Sequence, residues 1–207
     1  MLALGLTGCA RLLDNTRLSY LAIDEPPPQS YLPVLQALVR TVLPFDHPRF
    51  PPVSPEAINQ RLLKIFPFRP DDEEALTLRR ALMIFNDVHL FPAAPPALIT
   101  QELNALGVGD RHSPAWSEAV GTMRAADERI YAQFSGGTQA GPPEHFVDLT
   151  PEERVKYYRL WSQSLFSVKR HFYRSSKTLI LVAAWSMDEM WNSIGYAGPL
   201  VTGHDKA

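Results

Sequence analysis

Apolar side chains recur three and four residues apart along most of the chain from Ser30 onward, which is the spacing of one face of an α-helix. The first such segment precedes Pro44 and carries Leu32, Leu35, Leu38, Val39 and Val42. The strict alternation of apolar and polar residues that marks a half-buried strand is almost absent. The pattern therefore predicts an all-α fold with about six to eight helices.

Hydroxyl residues followed by proline mark three helix starts, at Ser54-Pro55, Ser113-Pro114 and Thr150-Pro151. A serine or threonine caps the first free backbone N–H groups, and proline fits the first helical position because it lacks an N–H. Thr150 is also followed three residues later by Glu153, the spacing of a capping box. Beyond that helix, a further helical segment continues or restarts near Phe166 and runs to about Trp185.

A third segment begins with the acidic residues Asp71–Glu74, which suit the positive end of a helix dipole. Apolar residues follow on nearly all of its sides as far as Phe91, so it is predicted to be a buried helix that ends at Pro92. On such a helix His89 lies one turn after Phe85, and we expect a buried histidine with its hydrogen bonds satisfied. The six histidines show no pair at the i, i+4 spacing of a helical metal site.

One acidic residue, Asp127, interrupts an otherwise apolar stripe on the helix that follows Ser113. A carboxylate among apolar neighbours must be paired, protonated or at a wet edge. Arg124 and Arg129 flank it in sequence but point away from the stripe. We expect a structural ion pair, with a functional acid as the alternative.

A basic and aromatic segment, Val168–Lys177, follows later in the chain. Its Lys and Arg residues are Lys169, Arg170, Arg174 and Lys177. On a helix Arg170, Tyr173 and Arg174 share a face with Lys177. This face is either solvated, with basic stems covering apolar neighbours, or a contact surface for another protein, because arginine and aromatic residues are enriched at interfaces.

The composition narrows the possible functions. The chain has 207 residues, 45% of them hydrophobic, and a formal net charge of −2, which does not favour nucleic acid as a partner. A single cysteine excludes an internal disulfide and an all-cysteine metal site. The longest apolar run, Thr178–Trp185, is far shorter than the ~20 residues that span a bilayer. The glycine pairs lack the strand, turn and lysine of a phosphate-binding loop, and no nucleophile motif is present.

The N-terminal residues Leu6-Thr7-Gly8-Cys9 resemble the pattern by which bacterial lipoprotein precursors are recognised. By this interpretation Met1–Gly8 is a clipped signal whose true start lies upstream, Cys9 is lipidated, and a proline-rich tether follows. The alternative is a plain apolar N-terminus with one thiol. The expected organisation is a signal and tether over residues 1–29, a single all-α domain over 30–201 and a disordered tail over 202–207.

The C-terminal third resembles the gluconate 2-dehydrogenase subunit 3 family, whose members are small helical subunits of membrane-associated flavin dehydrogenases. The resemblance covers roughly Thr150–Val201 and includes the helix with Trp161 and the basic-aromatic helix. It is most specific where a tryptophan precedes a glycine-rich turn, at Trp191, Ile194, Gly195, Tyr196, Gly198 and Pro199.

The resemblance implies a non-catalytic accessory subunit without a cofactor of its own. Such subunits bind a larger flavoprotein dehydrogenase of the glucose–methanol–choline (GMC) type, which holds FAD, and assist its maturation or export; the complex passes electrons to a cytochrome c. The expected partner-binding residues are those of the tryptophan–glycine motif together with Arg170, Tyr173 and Arg174. Members often carry a twin-arginine signal, whereas this chain has the lipoprotein-like start instead.

Other interpretations remain open at the level of sequence. Trp191 either docks on a partner or folds back to cap the core of its own domain. The chain is alternatively a stand-alone envelope lipoprotein with a structural or binding role, or a small helical enzyme. We expect a location in the periplasm or cell envelope, or the cytoplasm if Met1 is the true start and Cys9 is unmodified.

Overall fold

A computed structural model of the chain describes residues 31–65, 73–91, 103–104, 107–110, 112–136 and 143–193. These ranges contain seven α-helices and no strand, which confirms the predicted all-α fold. The helices are α1 (Leu32–Val42), α2 (Pro55–Ile65), α3 (Glu73–Asn86), α4 (Pro114–Ser135), α5 (Pro151–Gln163), α6 (Ser167–Trp185) and α7 (Asp188–Ser193). The predicted signal, tether and tail lie outside the described residues.

The predicted helix starts are confirmed, and each has the expected cap. The hydroxyls of Ser54 and Ser113 each accept a hydrogen bond from the backbone N–H three residues later, at 3.1 and 3.2 Å. Thr150 accepts from the N–H of Glu153 at 3.3 Å, and the Glu153 carboxylate accepts from the N–H of Thr150 at 2.9 Å. This reciprocal capping box stabilises the first turn of α5 by satisfying donors that have no partner within the helix.

The predicted continuation of α3 to Phe91 was wrong, because the helix ends at Asn86. The next residue, Asp87, accepts hydrogen bonds from the backbone N–H groups two and three residues ahead, at 3.0 and 3.3 Å. These bonds cap a separate 3₁₀ turn, Val88–Leu90. A side-chain cap therefore overrides an apolar pattern that is compatible with a longer helix.

The expected burial of His89 was also wrong, because the residue is exposed. Once the helix ends at Asn86, His89 no longer follows Phe85 on one helical face. Its ring Nδ1 instead lies 3.0 Å from the hydroxyl of Tyr131 on α4, at the protein surface. This contact ties the 3₁₀ turn to α4.

The main hydrophobic core is built around the ring of Phe85. Its centroid lies 4.6 Å from that of Phe146, 5.1 Å from Trp161 and 4.9 Å from Phe172. The hydroxyl of Tyr157 is buried among these rings and donates to the Phe85 carbonyl at 3.0 Å. Because these side chains come from α3, α5, α6 and the segment before α5, one aromatic cluster joins the elements.

Helix α6 occupies a central place in the packing, since it contacts both α5 and α2 along its length. Helix α4 is attached differently, because its buried residues are only Met123 and Asp127. Met123 joins a second, smaller cluster with Leu103 and Phe166. Among the helices described above, none has both the length and the apolar character needed to cross a membrane.

Candidate functional site

The most polar part of the interior is an ion pair between Asp127 on α4 and Lys169 on α6. The Lys169 Nζ atom lies 2.5 Å from Asp127 Oδ2, and the two residues are 4% and 0% exposed. Ser164 donates to the same Asp127 oxygen at 2.9 Å, and Lys169 also donates to the carbonyl of Phe91. The expected structural ion pair of Asp127 is confirmed, and its partner comes from another helix.

Aromatic rings surround the Lys169 ammonium group. Its Nζ atom lies 4.4 Å from the ring centroid of Phe91 and 4.9 Å from that of Phe166, within the range of cation–π attraction. Burial lowers the pKa of Lys169, and the negative charge of Asp127 opposes that shift. The cluster joins α4 to α6 in a closed environment, so its evident role is to hold these two helices together.

Lys169 was named from the sequence as a basic residue of its segment, but its pairing with Asp127 was not predicted. Asp127 and Lys169 are 42 residues apart in sequence. Helical periodicity describes one helix at a time. It does not show which charged residue of another helix a given side chain contacts. The available signal was the lone carboxylate in an apolar stripe, which requires a partner but does not name it.

In the structure, part of the predicted contact face of α6 is half-buried and part is exposed. Arg170 is half-buried, and its guanidinium donates to the carbonyl of Ser164 at 2.6 Å. Tyr173 is also half-buried, with its ring centroid 4.5 Å from that of Tyr158 and its carbonyl accepting the Tyr158 hydroxyl at 2.8 Å. Of the four residues expected on this face, Arg174 and Lys177 are exposed.

The exposed side of α6 is rotated from the predicted face. Its exposed residues are His171, Arg174, Lys177, Thr178 and Trp185, and we call this set the α6 ridge. Successive members lie three, three, one and seven residues apart, and at 3.6 residues per turn these positions follow one side of the helix. The ridge is basic near its middle and ends on an indole that is 43% exposed.

Trp191 lies on α7 immediately beyond the ridge. It is half-buried and packs against the main core, and its indole N–H donates to the carbonyl of Trp185 at 2.5 Å. Capping of its own core by Trp191 is therefore present in the structure, and Trp185 presents the more exposed indole. The other motif residues, Ile194, Gly195, Tyr196, Gly198 and Pro199, lie outside the described residues, as does Cys9.

A depression of about 400 Å³ lies between α2 and the turn from α6 to α7. It is lined by Ala57, Gln60, Arg61, Lys64, Ser186, Met187, Asp188 and Glu189. Arg61 closes one part of it by donating to the hydroxyl and carbonyl of Ser186, at 2.8 and 3.3 Å. Both charge signs line this depression, and no nucleophile and base are paired in the contacts that line it.

Within the parts of the chain that the structure describes, no group of three His, Cys, Asp or Glu residues is placed to hold a metal ion. Comparison of the chain with protein-family models, with curated proteins and with solved structures finds no match in any of the three. The features that bear on function are a buried ion pair, an exposed basic ridge and the start of a tryptophan–glycine motif.

Proposed function

We propose that this chain is a non-catalytic accessory subunit that binds a GMC-type flavoprotein dehydrogenase at the cell envelope and assists its maturation or export. In this proposal FAD belongs to the partner subunit, and the complex delivers electrons to a cytochrome c. The observation that carries the proposal is the sequence motif from Trp191 to Pro199. It follows a basic-aromatic segment in the sequence, as in the gluconate 2-dehydrogenase subunit 3 family.

The contacts around the motif support a binding role. Trp191 is held against the core by packing and by its hydrogen bond to the carbonyl of Trp185, so the first residue of the motif has a fixed position. The side chain of Trp185 itself is exposed. Large aromatic side chains on a rigid element supply contact area at a low cost in conformational entropy, which suits docking. The most buried charged pair, Asp127 with Lys169, serves the packing of two helices.

The proposed envelope location depends on Cys9 and the residues before it. A lipid on this cysteine, followed by the stiff Pro26-Pro27-Pro28 stretch, would hold the helical domain close to a membrane surface. A single acyl chain binds a membrane only marginally, so stable anchoring needs more than one chain or a second contact. A partner subunit that is itself associated with the membrane would supply such a contact.

The proposal is tested by co-expressing the chain with the GMC-type flavoprotein encoded nearest to it, and purifying through a tag on this chain. We expect the flavoprotein to co-elute with a flavin absorbance spectrum. A variant that ends at Ser193 keeps α7 and its buried Met190, and we expect it to stay folded while recovering at least tenfold less flavoprotein.

Two outcomes would contradict the proposal. If the full chain is folded and monomeric but recovers no flavoprotein, the stand-alone envelope lipoprotein becomes the better interpretation. If the isolated chain binds flavin or a metal and turns over a substrate, the accessory role is wrong. Circular dichroism of the variant ending at Ser193 controls for loss of folding.

A further inference from the structure

We propose that the α6 ridge is the docking surface for an acidic segment of the partner protein, which places carboxylates against Arg174 and Lys177 and an apolar side chain against Trp185. This inference rests on the proposed function for the identity of the partner. It goes beyond the proposed function by identifying the surface of the chain that makes the contact. It also specifies the chemical groups that the partner presents there.

The charge of α6 is the first argument. The helix has four Lys and Arg residues with His171, and it contains no Asp or Glu. Lys169 and Arg170 are engaged within the protein, by the ion pair and by the bond to Ser164. Arg174 and Lys177 are exposed, and neither forms an ion pair with any described residue. Because the whole chain carries a net charge of −2, this positive surface is local and selects for a negatively charged partner.

The apolar end of the ridge is the second argument. The indole of Trp185 is 43% exposed, one of two large apolar side chains so exposed among the described residues. Leu181 and Val182 lie one turn before it and are half-buried, so they extend the apolar surface next to the ring. Tryptophan and arginine are both enriched at interface hot spots, and the ridge presents one of each.

The ridge is held rigidly before any partner arrives. Helix α6 packs against α2 and α5, and the carbonyl of Trp185 is held by the indole of Trp191. Arg174 and Trp185 are eleven residues apart, which is about 16 Å along a helix at 1.5 Å per residue. A partner segment with acidic residues at one end and an apolar residue about three helical turns away matches this spacing.

The surroundings of Trp185 favour a protein over an anionic membrane. Asp188 and Glu189 are both exposed and follow Trp185 by three and four residues. Anionic lipid attracts basic residues and repels acidic ones, so two exposed carboxylates within four residues of Trp185 oppose insertion of this end of α6. A protein segment avoids this repulsion, because its acidic residues lie at the Arg174 end alone.

The test compares four variants with wild type, in the co-purified complex and with a synthetic helical peptide that carries Glu and Leu about three turns apart. We expect R174E/K177E and W185S each to raise the Kd at least tenfold for both probes. The control R124E/R129E makes the same change in charge at exposed positions of α4 and is expected to leave the Kd within about twofold. Salt should weaken the wild-type complex more than that of R174Q/K177Q.

The outcomes separate the two proposals. A complex that forms equally well with the ridge variants and with the control overturns the ridge and leaves the accessory function standing. A wild-type chain that binds the peptide through the ridge but no flavoprotein supports the ridge and overturns the accessory function. Failure to bind either probe overturns both. Binding of phosphatidylserine vesicles that is lost in R174E/K177E assigns the ridge to a membrane and overturns the protein partner.

Discussion

The ammonium group of Lys169 has acceptors on two elements, the Asp127 carboxylate on α4 and the carbonyl of Phe91 after α3. A buried charge is tolerated only when it is paired and hydrogen-bonded. The pair adds little net stability, since the free-energy cost of removing two charges from water is about as large as the free energy of their attraction. We expect the pair to act on specificity instead, by favouring one register between α4 and α6.

Replacing Lys169 with methionine is expected to lower the free energy of unfolding by about 3–5 kcal/mol, because Asp127 then remains buried without its counter-charge. Urea denaturation measures this loss. The control K177M changes a lysine of the same helix that faces solvent, and it should stay within about 0.5 kcal/mol of wild type. The double variant D127L/K169M should recover most of the loss. A K169M protein within 1 kcal/mol of wild type would show that the pair is dispensable.

Alkaline pH is expected to destabilise the fold through its buried tyrosines. Burial raises the pKa of the Tyr157 and Tyr158 hydroxyls above the ordinary value of 10.0. The unfolded chain therefore loses these protons near pH 10 while the folded chain keeps them. Their contribution to stability is fully present below pH ~10 and is lost as the pH rises beyond it.

This pH dependence is measured from urea midpoints between about pH 8 and 11, over the range in which unfolded tyrosine titrates. Tyr157→Phe removes one raised pKa, so its midpoint should fall less steeply with pH than that of wild type. The lowered pKa of Lys169 acts in the opposite direction, because stability rises with pH where only the unfolded lysine is protonated. Since both proteins retain Lys169, the comparison cancels that effect, and identical slopes would contradict the prediction.

At the scale of elements, the start of α5 has the most complete set of capping contacts that the sequence predicts. Thr150→Ala is expected to lower the free energy of unfolding by about 1 kcal/mol, because the N–H of Glu153 loses its acceptor. Thermal or urea unfolding measures the loss. The control Thr178→Ala changes an exposed threonine inside α6 and should have a smaller effect. An equal effect in both variants would mean that the capping box contributes little.

The helix starts were predicted correctly and the end of α3 was not, for a physical reason. Ser54, Ser113 and Thr150 act on N–H groups three residues away, so the signal and its effect lie in the same short stretch. The end of α3 depends on Asp87, whose side chain competes with the next helical turn. Apolar residues continue past it, and their spacing fits both a longer helix and the 3₁₀ turn that forms.

The candidate surface was predicted in part. The sequence located the basic helix and Arg174, whose exposure is found in the structure. It assigned Tyr173 and Arg170 to the same exposed face, but these residues contact Tyr158 and Ser164 on the neighbouring helix and turn. Which side of a helix faces solvent is decided by the helices packed against it, and that information is not local in sequence.

At the scale of the whole molecule, aromatic rings and one ion pair fill the interior, while Arg174, Lys177 and the side chain of Trp185 are exposed on one helix. This arrangement fits the proposed function, in which the protein acts by binding another protein. The proposed attachment at Cys9 adds that the contact takes place near a membrane.

Lipidation of Cys9 is tested by expressing the chain in a bacterium behind a full-length lipoprotein export signal. We expect wild type in the membrane fraction, with a mass increase on Cys9 corresponding to a diacylglyceryl group and an amide-linked acyl chain. Cys9→Ser should be released into the soluble fraction without that mass. Equal fractionation of both proteins, with an unmodified thiol, would contradict the proposal.

The four tryptophans of the chain lie in unequal surroundings: Trp161 is buried, Trp116 and Trp191 are half-buried, and Trp185 is 43% exposed. Collisional quenchers such as acrylamide should therefore reach Trp185 first. Trp185 therefore serves as an intrinsic fluorescent probe at the end of α6. A fall in the quenching of its emission reveals when that surface becomes covered, without any attached dye.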